Sequence, residues 1–447
     1  VVTFAHHLPG TPPLGWTGHP RHGDVPELDL SDVDRLVVVA AHPDDESLGA
    51  GGLLARADRA GWVVDVVAAT DGEASHPDSP THTPERLAAV RRGELQDAVA
   101  AAAPSARVRM LGLPDGGLAG HEDHLARTLV DLVGDGRRTL LVAPWRRDAH
   151  PDHEAAGRAA ATAAARTGAR LLEYPVWFWH WGDPEDAPWT DLRSHTLADA
   201  DRDARERAQA AHRSQVAPLS DRPGDEVLLA PELLEHFAGP RELFIAERPY
   251  DAALDDLHAV EADPWGADTR LYEARKRALL LAALPRARFR HGLEVGSSTG
   301  ALAADLAERC DELLVLDASP SAVAAARERL AGSAGVTVRR GAVPAQWPAP
   351  PAGGFDLVVL SEVGYFLSPV DLDDVVELVR ATLAVDGVLV LAHWRHEVEG
   401  WPLDGPAVHA TVVAAGVRPV VARYVDRDVE LLVLADPAVL PDPRAEA

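Results

Sequence analysis

Two short segments collect side chains of the kind that hold a metal ion. The first, Ala41-His42-Pro43-Asp44-Asp45-Glu46, sets His42 and Asp45 three positions apart. Across a tight turn entering a helix, that spacing brings both side chains to one ion. Asp44, between them, points elsewhere. A carboxylate held off the metal but beside a water is what a general base requires. The second segment, His150-Pro151-Asp152-His153, adds further imidazoles. Together the two offer histidine, carboxylate and histidine with a fourth position left for water, the open arrangement of a catalytic zinc. The plainer alternative makes Asp44 or Asp45 a helix cap and leaves the histidines in solvent. A third segment, Leu293-Glu294-Val295-Gly296-Ser297-Ser298-Thr299-Gly300, has glycines that let backbone approach a ligand and start a helix. Asp317, 21 positions after Gly296, stands where an acid accepts hydrogen bonds from ribose hydroxyls. The missing third glycine argues against a nicotinamide dinucleotide, and a helix cap is the alternative for Asp317.

Each segment follows a run that reads as a buried strand. The unbroken apolar run 36–40 is what a parallel strand covered on both faces needs. A helix is expected from Leu48 to about Ala60, a strand over 63–68, and a helix over 84–103 opened by Thr83 and Pro84. Strands at 108–111 and 139–143 flank a helix near 124–133. Both metal-type segments thus lie beyond the carboxyl ends of strands, where parallel α/β sheets bind ligands. A second series of strands is expected at 293–295, 313–316, 355–360 and 388–392, with helices at 301–308 and 320–330. Alternation of this kind predicts two parallel sheets with helices on both faces. The boundary is expected near residue 252, within the proline- and acid-rich 248–268, with a helix over 270–284 opening the second half. Residues 1–31 read as an extension, either ordered or a flexible arm.

Composition narrows the field. The chain has 447 residues, enough for two domains, and a net charge of −27. That charge repels phosphate backbones and anionic lipids, so neither nucleic acid nor a membrane is the expected partner. The one cysteine, Cys310, excludes an internal disulfide and any thiolate cluster, so a metal must be held by histidine and carboxylate. Lys276 is the one lysine among many arginines, read here as compositional bias. No apolar run is long enough for a membrane span and no leader is evident, so a cytoplasmic protein is expected. Tyr174–Trp181 is densely aromatic, suited either to the face of a sugar or to a packed strand and loop. His76, His82, His121 and His124 read as solvated residues.

The first half, over roughly residues 33–250, resembles the PIG-L/LmbE family of metal-dependent N-deacetylases. The family's Ala-His-Pro-Asp-Asp-Glu and His-Pro-Asp-His signatures both stand unaltered. The resemblance implies zinc, or another divalent metal, on His42, Asp45 and His153. It implies Asp44 as general base, and His150 as oxyanion stabiliser or proton donor to the leaving amine. Through Thr70-Asp71-Gly72-Glu73, Arg91-Arg92-Gly93-Glu94, Leu113-Pro114-Asp115-Gly116 and His212-Arg213-Ser214-Gln215 it further implies Arg91 and Asp115 as substrate contacts. The alternative for Arg91 and Glu94 is an exposed helix ion pair.

The second half, over about 262–400, resembles class I S-adenosylmethionine-dependent methyltransferases. Within them it is similar to the nodulation-type N-methyltransferases that act on deacetylated glucosamine. Asp263-Pro264-Trp265, Tyr272-Glu273 and the stretch 355–366 carry that likeness. It implies that Glu294, Gly296 and Asp317, with Ser297 and Gly300 of the same turn, grip S-adenosylmethionine, and that Glu362 and Tyr365 lie near its methyl group. Gly341-Ala342-Val343 departs from the usual polar adenine contact, leaving backbone around Ala342 for that task. His393 or Glu362 is a candidate to relieve an amine of its proton; a structural or capping role is the alternative for His393. The resemblances imply an α/β chain of two Rossmann-like three-layer domains, 32–251 and 252–447. The expected activity is removal of an acetyl group from an amino sugar or glycosylated natural product, then methylation of the freed amine. Two alternatives stand beside it. One is deacetylation of a peptide or lipid conjugate with methylation elsewhere; the other is a cofactor-binding second domain without catalysis.

Overall fold

The computed structural model describes residues 10–246, 257–258, 260–261, 263–399 and 401–441. His6, His7 and most of the expected boundary around residue 252 lie outside the described residues. The chain divides into two compact units at about residue 250.

The first unit is built on seven strands: β1 (Arg35–Ala40), β2 (Val63–Thr70), β3 (Arg107–Leu113), β4 (Thr139–Pro144), β5 (Arg170–Tyr174), β6 (Leu192–Thr196) and β7 (Arg241–Ile245). Their order is β3-β2-β1-β4-β5-β7-β6. The first five are parallel, and β7 and β6 close one edge antiparallel. The apolar run of β1 serves two cores at once. Leu36 and Val38 pack with one set of helices, Val37 and Val39 with the other. This is the period-two alternation of a strand covered on both faces.

The second unit repeats the plan with β8 (Phe289–Val295), β9 (Cys310–Asp317), β10 (Val336–Arg340), β11 (Phe355–Ser361), β12 (Leu383–Trp394), β13 (Val420–Val425) and β14 (Val429–Leu434). The order is β10-β9-β8-β11-β12-β14-β13, again with two antiparallel strands at one edge. In β11, Val358 and Leu360 enter one core, Leu357 and Val359 the other. No described helix is long and apolar enough to cross a membrane.

Two expectations change. The single helix expected over 48–60 is two, Asp45–Gly49 and Gly51–Arg59, broken at Ala50. The second starts where the Glu242 carboxylate of β7 accepts the N–H groups of Gly52 (2.6 Å) and Leu53 (2.9 Å). The described part of the N-terminal extension is ordered. Trp16, in the helix Pro13–Thr17, is buried, and its Nε1 donates to the Trp179 carbonyl at 2.7 Å.

Candidate active sites at the two switch points

In each sheet the strand order reverses beside the first strand, between β1 and β4 and between β8 and β11. The loops leaving such a pair diverge and open a crevice at their carboxyl ends. The first crevice receives His42–Asp45 after β1 and His150–His153 after β4.

The ligand atoms of His42, Asp45 and His153 all lie within 4.8 Å of one another, and all three residues are buried. Asp45 Oδ1 is 3.2 Å from His153 Nε2, and Asp45 Oδ2 is 3.6 Å from His42 Nδ1. His153 Nδ1 bonds to Asp148 Oδ2 at 2.7 Å. Nδ1 thus carries a proton, and Nε2, buried and without a hydrogen-bond partner, faces Asp45, where it offers a lone pair once deprotonated. Asp148 is itself fixed by the N–H groups of Val176, Trp177 and Phe178. His42 Nε2 lies 3.1 Å from Asp115 Oδ1 and 3.3 Å from Asp152 Oδ2. Asp152 accepts from the N–H groups of Gly116 and Leu118. Each histidine thus has a carboxylate on the ring nitrogen away from the cluster, the arrangement that orients metal-bound imidazole. The donor set and the orphaned Nε2 fit a divalent cation with an open position.

Asp44 stands beside the cluster on a backbone with φ +136°. Its N–H donates to Glu46 Oε2 at 3.0 Å, and its carboxylate pairs with the Arg91 guanidinium at 3.0 Å. Burial pushes this carboxyl up to about 6, against the pull of Arg91. Burial drives His150 down to about 2, helped by the neighbouring His153 and His42. His150 Nδ1 accepts the Asp152 N–H at 3.2 Å, so the ring proton sits on Nε2. Against burial, the Asp45 and Asp148 carboxylates lift His153 to about 9. A ligating imidazole must surrender that proton to a metal.

A cavity of about 360 Å³ opens over these groups, with Leu48, Pro77, Val176, Trp177, Leu228 and Leu229 forming apolar walls. Asp115 and Arg91 also line it. Arg91 is not an exposed ion-pair partner: it is buried and also donates to the Pro43 and Gly72 carbonyls. Glu94 instead accepts from Ser214. Of the aromatic stretch, Trp177 faces the cavity, while Trp179 and Tyr174 belong to the core. His76, expected in solvent, is buried, with Nε2 3.0 Å from the Glu226 carbonyl. Asp148 and the role of Asp152 are what sequence reasoning missed. Their part arises from packing, and only their nearness to His153 hinted at it.

The second crevice is a cavity of about 450 Å³ lined by Trp265, Tyr272, Glu294, Ser297, Glu362 and Tyr365, among others. Gly296, at its floor, has φ +78°, and a Cβ there would lie 2.7 Å from Val363 Cβ. Gly300, with φ +77°, caps the helix Ala301–Ala307. Glu294 is buried with Oε2 unpartnered, and burial, then the Asp317 charge, lifts it to about 8. The hydroxyls of Ser297, Ser298 and Thr299 are likewise buried without partners. A row of orphaned polar atoms around a cavity fits a polar nucleoside cofactor. Asp317 is no helix cap. It takes the N–H groups of Ser298 (2.8 Å) and Ser319 (3.0 Å), while Ser319 caps the following helix.

Gly300, Asp317, Ala342 and His393 are not among the residues lining this cavity. The Ala342 N–H is engaged by Gln346 Oε1 at 2.8 Å. His393 is fully buried, with Nε2 accepting the Gly364 N–H and Nδ1 bonded to His409. Burial lowers it to about 4. Its lone pair is used inside the fold. Glu362, with φ +55°, accepts from Tyr272 Oη (2.9 Å), Lys276 Nζ (2.7 Å), the Trp394 N–H (2.9 Å) and Tyr365 Oη. Lys276 and these donors hold its carboxyl below the usual range despite burial. Glu362 is therefore a fixed anion and a poor proton acceptor.

A family model described as GlcNAc-PI de-N-acetylase matches residues 37–164, and one described as Nodulation protein S matches residues 252–415. Nodulation protein S of Bradyrhizobium diazoefficiens is 30% identical over 34% of this chain and 72% of its own length. The probable N-acetyl-alpha-D-glucosaminyl L-malate deacetylase 2 of Bacillus subtilis is 33% identical over 30% of this chain and 62% of its own. A solved structure of N-methyltransferase NodS from Bradyrhizobium japonicum, in complex with S-adenosyl-l-homocysteine, is 25% identical. It covers 41% of this chain and 97% of that one, with a TM-score of 0.37. Of the Nodulation protein S sequences of Rhizobium tropici and Sinorhizobium fredii, the chain spans 56% and 49%. The chain belongs to the Nodulation protein S family through its second unit, and its first unit carries a PIG-L domain match over residues 37–164.

Proposed function

We propose that the chain removes the acetyl group from an N-acetylated amino sugar, free or in a glycosylated natural product, and then methylates the exposed amine. The deacetylase spans 32–251 behind the extension 1–31, and the methyltransferase spans 252–447. The convergence of His42, Asp45 and His153, with Asp44 beside them, carries this reading.

A divalent metal, zinc by donor preference, bound by those three residues supplies positive charge that polarises the amide carbonyl and acidifies the attacking water. Asp44 takes the water's proton; a carboxyl near 6 suits exchange around neutrality. Arg91 holds that carboxylate in place. The neutral His150 offers its Nε2–H to the oxygen that gains charge. As the C–N bond breaks, Asp44 returns the proton to nitrogen, leaving acetate and an amine.

In the second unit, S-adenosylmethionine supplies an activated methyl group. Glu294 and the hydroxyls of Ser297–Thr299 offer it partners, and Gly296 admits it against the strand end. Glu362, a fixed anion in the cavity wall, would stabilise the positive charge that passes from sulfonium to nitrogen. The amine attacks as the neutral base, its lone pair forming the N–C bond while the S–C electrons stay on sulfur and a proton passes to solvent. Alignment supplies most of the acceleration.

Purified full chain should release acetate from N-acetylglucosaminyl compounds only when metal is present. With the methyl donor added, the amine product should gain 14 mass units per methyl at nitrogen, a chemical expectation of about one CH₂. A metal-loaded protein inert on every N-acetylglucosaminyl compound tried would rule out the sugar.

A further inference from the structure

Lysine occurs once in this chain, at position 276, although the chain carries 43 basic residues of the lysine and arginine kind. Every other such position is arginine. The exception stands in the wall of the second cavity, on the helix Leu271–Ala283, and is buried to 4% exposure. Its ammonium lies 2.7 Å from Glu362 Oε1 and 3.0 and 2.9 Å from the two oxygens of Glu273. It also sits 5.1 Å from the Tyr272 ring centroid. Both carboxylates line the cavity. The one lysine therefore stands where a compact ammonium bridges two carboxylates. A planar five-donor fork is wider than an ammonium and cannot put one compact charge between two carboxylates at these distances.

We propose that Lys276 is a positioning residue for methyl transfer. Its ammonium locks the Glu362 and Glu273 carboxylates side by side in the cavity wall, and so fixes the seat of the amine acceptor. The ammonium holds these two carboxylates together in a wall that also carries Arg270 and Arg277, beside a reaction in which positive charge passes from sulfur to nitrogen. Without the lysine, two half-buried carboxylates would be left with no charge bridging them, and one would take up a proton more readily. The remaining groups on Glu362 — Tyr272, Tyr365, the Trp394 N–H and, behind them, His393 — are neutral and cannot replace it.

The inference rests on the methyltransferase reading above, and the sole lysine provides a probe independent of turnover. Full chain grown with lysine labelled with nitrogen-15 at Nζ yields one side-chain ammonium resonance. That resonance should shift when glucosamine is added in the presence of S-adenosylhomocysteine. An unmoved resonance under saturating glucosamine overturns the proposal. In kinetics with S-adenosylmethionine and glucosamine, K276M should lose about 10- to 100-fold in kcat/KM for the amine while donor Kd stays within about threefold. K276R should fail to rescue it. K276M should also acquire an acidic limb in its pH–rate profile, because Glu362 then titrates upward; a purely structural lysine would not add one. Wild-type kcat/KM in K276R, or a K276M loss explained wholly by a lower folded fraction, overturns the assignment. A shifted resonance without any methylated product would instead retire the methyltransferase reading and leave the amine seat standing.

Discussion

Asp44 holds its carboxylate on a backbone turned to φ +136°, a region that L side chains rarely adopt. Neighbours impose it: Glu46 takes the Asp44 N–H and Arg91 takes its side chain. Substitution separates the chemistry from the strain. Both D44A and D44G should lose acetate release by about 10²- to 10⁴-fold with metal content unchanged. D44G should nonetheless be the more stable of the two by about 1 kcal/mol or more, since glycine meets no penalty at this φ. Equal unfolding midpoints for the pair would remove the case for strain. The two segments around 42–45 and 150–153 were legible in local spacing, the choice of His153 over His150 came from the family resemblance, and the fold brings 42, 45 and 153 together. Arg91 was legible as important but not in its contacts, since spacing does not say which way a guanidinium turns. Asp148 and Lys276 were missed because their significance lies in neighbours brought up by folding.

At the level of elements, the run 36–40 and its counterparts predicted the strands because parallel sheets leave no polar face to obscure them. The break at Ala50 was hidden because the carboxylate receiving the new helix's first amides comes from β7, some 190 residues on. That carboxylate, Glu242, carries a pH signature. Burial raises it to about 7, with Arg205 pulling the other way. Its folded value exceeds the unfolded one, so its contribution is complete below about 4.5 and fades as pH rises through 7. The stability gap between wild type and E242Q should therefore favour wild type more at pH 5 than at pH 8, measured by thermal or urea unfolding. A gap that widens toward pH 8 would contradict a raised Glu242.

Across the whole molecule, strand–helix alternation announced two parallel sheets, but not the antiparallel pair that closes one edge of each. Strand direction is not written in composition: β14, Val-Glu-Leu-Leu-Val-Leu, is as buried as the parallel strands, while β6, Leu-Arg-Ser-His-Thr, is too polar to announce itself. Each unit carries its own candidate site, so metal removal should act on one alone. Chelation should abolish acetate release and leave methylation of an added free amine intact. Loss of both activities would mean that the second unit depends on the ion as well. The candidate metal site joins segments about 110 residues apart, supplied by neighbouring strands β1 and β4. It therefore exists only once that pairing has formed, and an ion bound there acts as a clasp on the finished sheet. At a hundred times its dissociation constant the ion should add about 2.7 kcal/mol to the folded state. A ribosome still making β4 would be extruding a chain with nowhere to load an ion, so any metal uptake must wait for the β1–β4 pairing.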